Sequence, residues 1–292
     1  MSDPISLDAR RLSWRAGSHD RKVERFYSVG AQRFGDCHGG YLNFGLWETE
    51  GCDYIGAAEN LVRTLASWGG IGESARVLDV GCGFGAQDVF LAQNFAPRSI
   101  TGLDLTWPHV LAARKRAGDA GLGAEVQFQH GSATDLGRFA AGSFTHALAV
   151  EGIIQFDTRR RFFREAQRVL EPGGYLLIAD FALQRTARSF LDKLCVALVR
   201  CGWSIPRDNC DPIEEYGEKL ASEGFGAIEI RRVGALTIPQ YVREQRAPAY
   251  RGQLREARGI FGLWGGDLID SFARWMYARG QLEYVLVRAR KA

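Results

Sequence analysis

Between residues 76 and 181 the chain alternates short apolar runs with longer amphipathic stretches, and this rhythm predicts its architecture. Val77, Leu78 and Val80 predict a strand over 76–81, with a helix over 86–94 behind it; strand 99–104, helix 108–120 and strand 125–130 repeat the unit. Ser143 to Glu151 predicts the next strand. Thr158 to Leu170 follows as a helix, capped by Thr158 or Asp157, with Phe162, Phe163, Ala166, Val169 and Leu170 on its buried face. Pro172-Gly173-Gly174 turns the chain into a strand from Tyr175 to Phe181. Apolar strands separated by amphipathic helices imply a parallel sheet with helices on both faces, and ligands bind at the carboxyl ends of such strands. That rule gathers Gly81, Asp104, Ser132 and Glu151 into one crevice.

The flanks are less regular. Residues 1 to about 20 are polar and aperiodic, a frayed or lid-forming leader; Val23, Phe26 and Tyr27 put an aromatic stripe on a helix from Arg21 to Phe34. Cys37 to Trp47 is broken by glycine and rich in aromatics, a loop that should fold over something apolar. Tyr54 to Trp68 reads as a helix closed by Gly69-Gly70. Beyond residue 181, Phe190, Leu191, Leu194, Val196, Leu198 and Trp203 mark an apolar helical insertion, and Ile213 to Glu223 a second helix. A strand over 227–233, a helix or helix pair over 241–261, a helix over 269–278 and a last strand over 282–288 complete the chain.

Composition changes this picture little. The 292 residues can bury one large core, and 46% hydrophobic with 24% charged residues is ordinary for a soluble protein. A net charge of +3 is too small to argue for a nucleic-acid surface, and Arg159-Arg160-Arg161 reads as a solvated helix face rather than a phosphate patch. Six cysteines show no CxxC spacing, nothing resembles a signal peptide, and no apolar run approaches the ~20 residues of a membrane span. The expectation is a cytoplasmic protein without membrane or nucleic-acid partners; a homodimer is left open.

Candidate chemistry centres on Asp79-Val80-Gly81-Cys82-Gly83-Phe84-Gly85. Alternating glycines let backbone turn sharply and approach a ligand, with NH groups at the following helix start facing it. Dinucleotide sites use a similar turn, but Asp79 before it suits a cationic or hydroxyl-bearing head rather than a phosphate. The stretch resembles the first motif of class I S-adenosylmethionine-dependent methyltransferases. The resemblance extends to about residue 181 through Leu103-Asp104-Leu105, Gly131-Ser132-Ala133, Ser143 to Glu151 and Leu170-Glu171-Pro172-Gly173-Gly174.

That resemblance implies a Rossmann-like α/β fold: a seven-stranded, mostly parallel sheet with its last strand antiparallel beside the sixth. It divides the chain into an N-terminal helical lid (1–70), a cofactor-binding core (71–181), a helical cap over the active site (182–225) and a C-terminal part of the sheet (226–292). The cofactor would be S-adenosyl-L-methionine, leaving as S-adenosyl-L-homocysteine, held by Asp79, Gly81, Gly83, Gly85, Asp104, Leu105, Ser132, Ala133 and Glu151. Asp104 would accept both ribose hydroxyls, although a helix N-cap is its alternative reading. Relatives often carry an acid where Ser132 stands. His146, mid-strand, reads as a packed core histidine. Glu151 would meet the methionine end of the cofactor or the substrate; where many relatives follow with a histidine base, Ile153-Ile154-Gln155-Phe156 stands here.

The small-molecule branch also carries an Asn-x-Gly-x-Trp segment near the cofactor mouth, here Asn43-Phe44-Gly45-Leu46-Trp47, which makes Tyr27, His38 and Trp47 lid candidates or mere packing aromatics. His38, Tyr27 and Glu151 are the candidate bases, and Trp47, Gln155 and Trp203 the candidate substrate contacts. An aromatic-rich lid and cap (Tyr41, Phe44, Trp47, Phe190, Trp203, Trp264) suggests a flat or apolar, natural-product-like small molecule, methylated at a hydroxyl oxygen, with nitrogen or carbon as alternatives. No carboxylate and amide cluster for a divalent ion is recognisable. A dinucleotide oxidoreductase and a cofactor-holding protein without transfer, such as a cyclase or regulatory subunit, are the rivals.

Overall fold

The computed structural model describes residues 17–28, 35, 38–49, 51–187 and 189–292, apart from the side chains of residues 249, 253 and 257–264. Phe34 and Cys37, and the side chain of Trp264, therefore lie outside the described residues.

Seven strands form one sheet in the order β3-β2-β1-β4-β5-β7-β6. They are β1 (Arg76–Val80), β2 (Ser99–Asp104), β3 (Val126–His130), β4 (Phe144–Val150), β5 (Leu170–Leu183), β6 (Phe225–Arg232) and β7 (Leu282–Lys291). β1 to β5 run parallel, and β7 lies antiparallel between β5 and β6. β5 starts earlier than its sequence suggests: Leu170 already pairs with Phe144, and the Pro172-Gly173-Gly174 turn is absorbed as an irregularity within the strand.

Strand alternation builds two cores. Leu176 and Ile178 face one hydrophobic cluster while Leu177 and Ala179 face the other, and in β7 Tyr284 and Leu286 alternate in the same way with Val285 and Val287. Each such fully buried aliphatic side chain contributes about 1.5–3 kcal/mol of hydrophobic free energy.

The covering helices are α1 (Ser18–Ser28), α2 (Tyr54–Gly69), α3 (Ala86–Phe95), α4 (Trp107–Asp119), α5 (Arg159–Val169), α6 (Phe190–Gly202), α7 (Ile213–Ser222), α8 (Ile238–Glu244) and α9 (Pro248–Ala278). Their ends follow local chemistry. Asp53 caps α2 by accepting the Gly56 N–H at 2.8 Å, and Gly70, in the left-handed region, closes it. Thr158 caps α5 as its sequence predicts. The helix or helix pair expected over 241–261 is divided between α8 and α9, and helical backbone runs from Pro248 to Ala278 through the stretch left open before 269. In a straight helix Arg251 and Asp267 would stand about 24 Å apart. Their side chains pair at 2.6 Å, so the element bends back on itself between them.

Two expectations are corrected here. Arg159 is no solvated residue: it is 0% exposed, its guanidinium enclosed by Asp180, Asp211, Asn209 and the Phe181 carbonyl. Arg160 and Arg164 pair with Glu223, so only the outer part of the basic run faces water. Phe190, expected in the apolar cap, is 80% exposed, because α6 turns Cys195 and Val199 inward and leaves Phe190, Leu191 and Leu198 outside. His146 is a core residue, its ring nitrogens meeting Thr145 Oγ1 at 2.7 Å and the Gly69 carbonyl at 3.1 Å.

Candidate active site

β1 delivers the chain into the glycine turn at the carboxyl edge of the sheet. Gly81, Gly83 and Gly85 all have positive φ (80°, 55° and 71°), a region that costs a side chain dearly. A Cβ on Gly85 would also stand 2.7 Å from the Phe128 ring, so this position demands glycine twice over. The turn is tied to the end of β2: Gly81 N–H donates to the Leu103 carbonyl at 2.7 Å, and Gly83 N–H to Asp104 Oδ2 at 2.9 Å.

Three buried carboxyls surround this turn. Asp79, 0% exposed, accepts Gln87 Nε2 on Oδ2 at 2.5 Å, while its Oδ1 is buried with no hydrogen-bond partner among the described residues. Burial pushes Asp79 up to about 7, against the pull of the Gln87 hydrogen bond. Asp88, in the first turn of α3, is raised well above the carboxylate range by burial and by the Asp79 charge beside it. Asp104 goes the other way. Burial alone would raise it, but His109, 3.3 Å away, and the N–H groups of Thr106 and Gly83 hold it below its ordinary value. It therefore stays ionised, and a carboxylate with about four lone-pair sites keeps acceptor capacity beyond these donors. The helix N-cap itself is Thr106, not Asp104. Leu105 lies half-buried beyond it, its carbonyl accepting His130 Nε2 at 2.8 Å, and Ser132 and Ala133 are buried at the end of β3.

An orphaned buried carboxylate oxygen, a glycine cradle open to backbone approach and an ionised acceptor at the next strand end fit S-adenosylmethionine, which offers an ammonium, two ribose hydroxyls and a cationic sulfonium. Asp104→Ala is expected to weaken S-adenosylhomocysteine binding by about 1–3 kcal/mol, the scale of hydrogen bonds to a charged group. Calorimetric titration of the folded variant checks this, and unchanged affinity rejects the ribose assignment.

β4 leads directly into Glu151, which takes a left-handed backbone (φ 61°) before a turn of 3₁₀ helix over Gly152–Gln155. Its Oε1 accepts two hydrogen bonds, from the Phe44 N–H at 2.5 Å and from the Tyr284 hydroxyl at 2.6 Å; Oε2 takes none among the described residues. Burial pushes the Glu151 carboxyl up to about 8, although both donors pull it down. Aromatic rings enclose it. Phe44 stacks on Tyr241 at 3.8 Å and meets Phe181 edge-on at 4.9 Å; Phe181 packs against Tyr284 and Trp203 at 5.0 Å each.

The remaining predicted residues divide. Trp203 joins this aromatic chamber. Gln155 does not stand free: its Oε1 accepts the Tyr27 hydroxyl at 2.9 Å, its Nε2 donates to the Trp203 carbonyl at 2.8 Å, and its own carbonyl meets His19 at 2.8 Å. Tyr27 and Gln155 thus latch α1 to the rim of the site. Trp47 belongs to the core, its indole N–H donated to the Phe44 carbonyl at 2.9 Å, and holds up the loop that presents Phe44. His38 is 1% exposed and packs edge-on against Tyr54 and Tyr250 at 5.2 and 5.3 Å.

Tyr284 and Tyr241 are site residues that sequence reasoning missed. Tyr284 stands in a strand whose alternation flags only burial, and its partner is 133 residues away. A cavity of about 20 Å³ adjoins the chamber, lined by Phe181, Val199, Ile205 and Met276 among others. A larger cleft of about 490 Å³, beside Trp68, His146 and Tyr175, opens where β1 and β5 begin rather than where they end. No group of residues fit to hold a metal ion occurs among the described residues, nor any helix long and apolar enough to cross a membrane.

The chain is similar to known proteins in sequence and in fold. Residues 78–178 match the family described as methyltransferase domain. The erythromycin 3″-O-methyltransferase of Saccharopolyspora erythraea is 37% identical over 201 residues, 67% of this chain and 65% of its own length. The O-methyltransferase resE of Aspergillus sclerotiorum is 32% identical over 261 residues, 88% of this chain and 91% of that protein. Among solved structures, the geranyl diphosphate C-methyltransferase of Streptomyces coelicolor A3(2), in complex with S-adenosyl-L-homocysteine, superposes with a TM-score of 0.74. That match covers 95% of this chain and 99% of that one at 18% identity.

Proposed function

The chain belongs to the S-adenosylmethionine-dependent methyltransferases, and from that premise we propose that it methylates a hydroxyl oxygen of a small, apolar, natural-product-like acceptor. The observation that carries this reading is Glu151: a carboxylate pinned by one oxygen, walled by Phe44, Phe181, Tyr241 and Tyr284, with its second oxygen free to meet an acceptor. The O-methyltransferases of similar sequence support the choice of oxygen.

S-adenosylmethionine supplies the activated methyl group. The protein supplies alignment, exclusion of water and a proton acceptor. Phe44 N–H and the Tyr284 hydroxyl fix the Glu151 rotamer, and burial raises its basicity, so that Oε2 can take a hydroxyl proton as the oxygen attacks. Burial and the neighbouring Glu151 charge keep the Tyr284 phenol itself protonated, a donor and not a base. His38 and Tyr27 support the lid in this reading: the first is packed among aromatic rings, and the second is bound to Gln155.

The test is turnover. Purified protein with labelled S-adenosylmethionine and a panel of hydroxylated macrolides, phenols and fatty acids should release S-adenosylhomocysteine and a methyl ether or ester. The same panel blocked at oxygen should be inert. Methylation of blocked acceptors at nitrogen or carbon rejects the oxygen assignment, and tight cofactor binding without turnover on any acceptor favours a cofactor-holding protein that does not transfer.

A further inference from the structure

α6 is apolar on both faces. Cys195 and Val199 turn inward, and Val199 lines the small cavity beside the aromatic chamber. Phe190, Leu191, Leu194 and Leu198, spaced i, i+1, i+4 and i+8, form the opposite face and are 44% to 80% exposed. α9 packs beside α6, with Ile269 against Gly202, and brings out Leu268 and Trp275. Trp275 stacks on Phe272 at 5.4 Å, with the Arg279 guanidinium 5.0 Å from its ring. Six of the ten large apolar side chains exposed among the described residues thus sit on two neighbouring helices. Apolar surface gathered in this way marks a place of contact.

The charge around it indicates the partner. Across 190–202 and 265–279 the exposed charged side chains are Lys193, Arg274 and Arg279, all positive. The acids of these stretches are withdrawn. Asp192 is buried against Arg185 at 2.8 Å, Asp267 is half-buried against Arg251 at 2.6 Å, and Asp270 is half-buried as well. A second copy meeting this face with its own would set these cations against each other. An anionic bilayer meets both halves of the pattern: headgroups take the lysine and arginines, and the acyl boundary takes Phe190 and the leucines. Trp275, apolar in body with a polar edge, suits the zone between them. At 13 residues α6 is too short to span a bilayer, and its pattern is that of a helix lying on one.

We propose that the outer faces of α6 and α9 dock this protein on an anionic lipid surface, a partner that composition alone does not suggest. The face that meets lipid is backed by Val199 and Met276, which line the cavity adjoining the aromatic chamber. An apolar acceptor dissolved in the bilayer is thereby presented to the two helices that border its site; this consequence, unlike the docking, rests on the methyltransferase reading.

The experiment sediments the full chain with sucrose-loaded vesicles, either three parts phosphatidylcholine to one part phosphatidylglycerol or phosphatidylcholine alone. The unaltered protein should bind the mixed vesicles about tenfold or more tightly than the neutral ones, since each Lys or Arg near an anionic surface is worth about fivefold. Phe190→Gln/Leu191→Gln/Leu198→Gln should lose about tenfold or more on the mixed vesicles. Lys193→Glu/Arg274→Glu should lose a similar factor there and little on the neutral ones. All five side chains are exposed, so the unfolding midpoint should hold, and the charge reversal can be read even where the triple variant unfolds. Equal binding to both vesicle types, undiminished binding by the triple variant, or no sedimentation of the unaltered protein overturns the docking and leaves the methyltransferase reading, which turnover tests, untouched. A dimer on gel filtration that the triple variant dissolves gives this face to a second copy and overturns the proposal too.

Discussion

Glu151→Gln should lower kcat by about 10²- to 10⁴-fold, the range for loss of a general base, while leaving the fold and cofactor affinity close to those of the unaltered protein. The substitution is nearly isosteric, and the amide oxygen can still accept from Phe44 N–H and the Tyr284 hydroxyl. What it removes is a group able to take a proton. The pH profile makes the test specific. Burial places the folded-state value at about 8, above the ordinary 4.5, so the carboxyl is protonated at lower pH and becomes a base only as pH rises. The rate should therefore climb with pH to a plateau whose midpoint lies at or below about 8, below because a bound sulfonium favours the carboxylate. Glu151→Gln should flatten that limb. A variant with unchanged kcat and weakened cofactor binding would instead assign Glu151 to the methionine end of the cofactor.

The second large effect concerns stability. Arg159→Met should destabilise the protein by about 3–5 kcal/mol, the cost of removing one partner from a buried ion pair. Asp180 Oδ2 accepts Arg159 Nε at 2.9 Å, Asp211 Oδ2 lies 3.4 Å from Nη1, and the Phe181 carbonyl accepts Nη2 at 2.6 Å. With the guanidinium gone, Asp180 would be an uncompensated charge at a fully buried position and would titrate. Denaturant unfolding measures the loss. Adding Asp180→Leu to Arg159→Met should recover part of it, since replacing a buried pair by apolar groups is far less costly than breaking it. Catalysis should suffer as well. The Arg159 guanidinium donates to the carbonyls of Asn209, whose side chain donates to the Ile154 and Phe156 carbonyls, and of Phe181, a wall of the aromatic chamber. A loss of less than about 1 kcal/mol, typical of exposed ion pairs, would return Arg159 to the solvated face that its sequence neighbours suggest.

Arg159 shows why part of this site is illegible in sequence. A run of three arginines at a helix start looks the same whether its first member is wet or buried; the difference comes from Asp180 and Asp211, which lie 21 and 52 residues on. The helical period decides which arginine turns inward, but not that two acids await it. Tyr284 is similar. Its place in an alternating strand forecasts a buried ring, and only the insertion of β7 beside β5 brings its hydroxyl to Glu151. Phe190 errs in the opposite direction: apolar residues on both sides of α6 predict a buried helix without saying which side is left outside.

What the sequence determined by itself is everything that rests on local periodicity and backbone freedom. Short apolar runs alternating with amphipathic stretches pointed to the parallel core, alternating glycines to the turn after β1 with Asp79 just before it, and the rule that ligands sit at strand carboxyl ends gathered Gly81, Asp104, Ser132 and Glu151 in one crevice. What only the tertiary structure decided is how those acids are partnered. Burial and hydrogen bonds set Asp79 at about 7 and Glu151 at about 8 while holding Asp104 ionised. They are supplied by groups such as Phe44, His109 and Tyr284, of which only His109 lies within a few residues of its acid. The reason is physical: a carboxyl's proton affinity is a property of its surroundings in space, and chain neighbours make up only a small part of them.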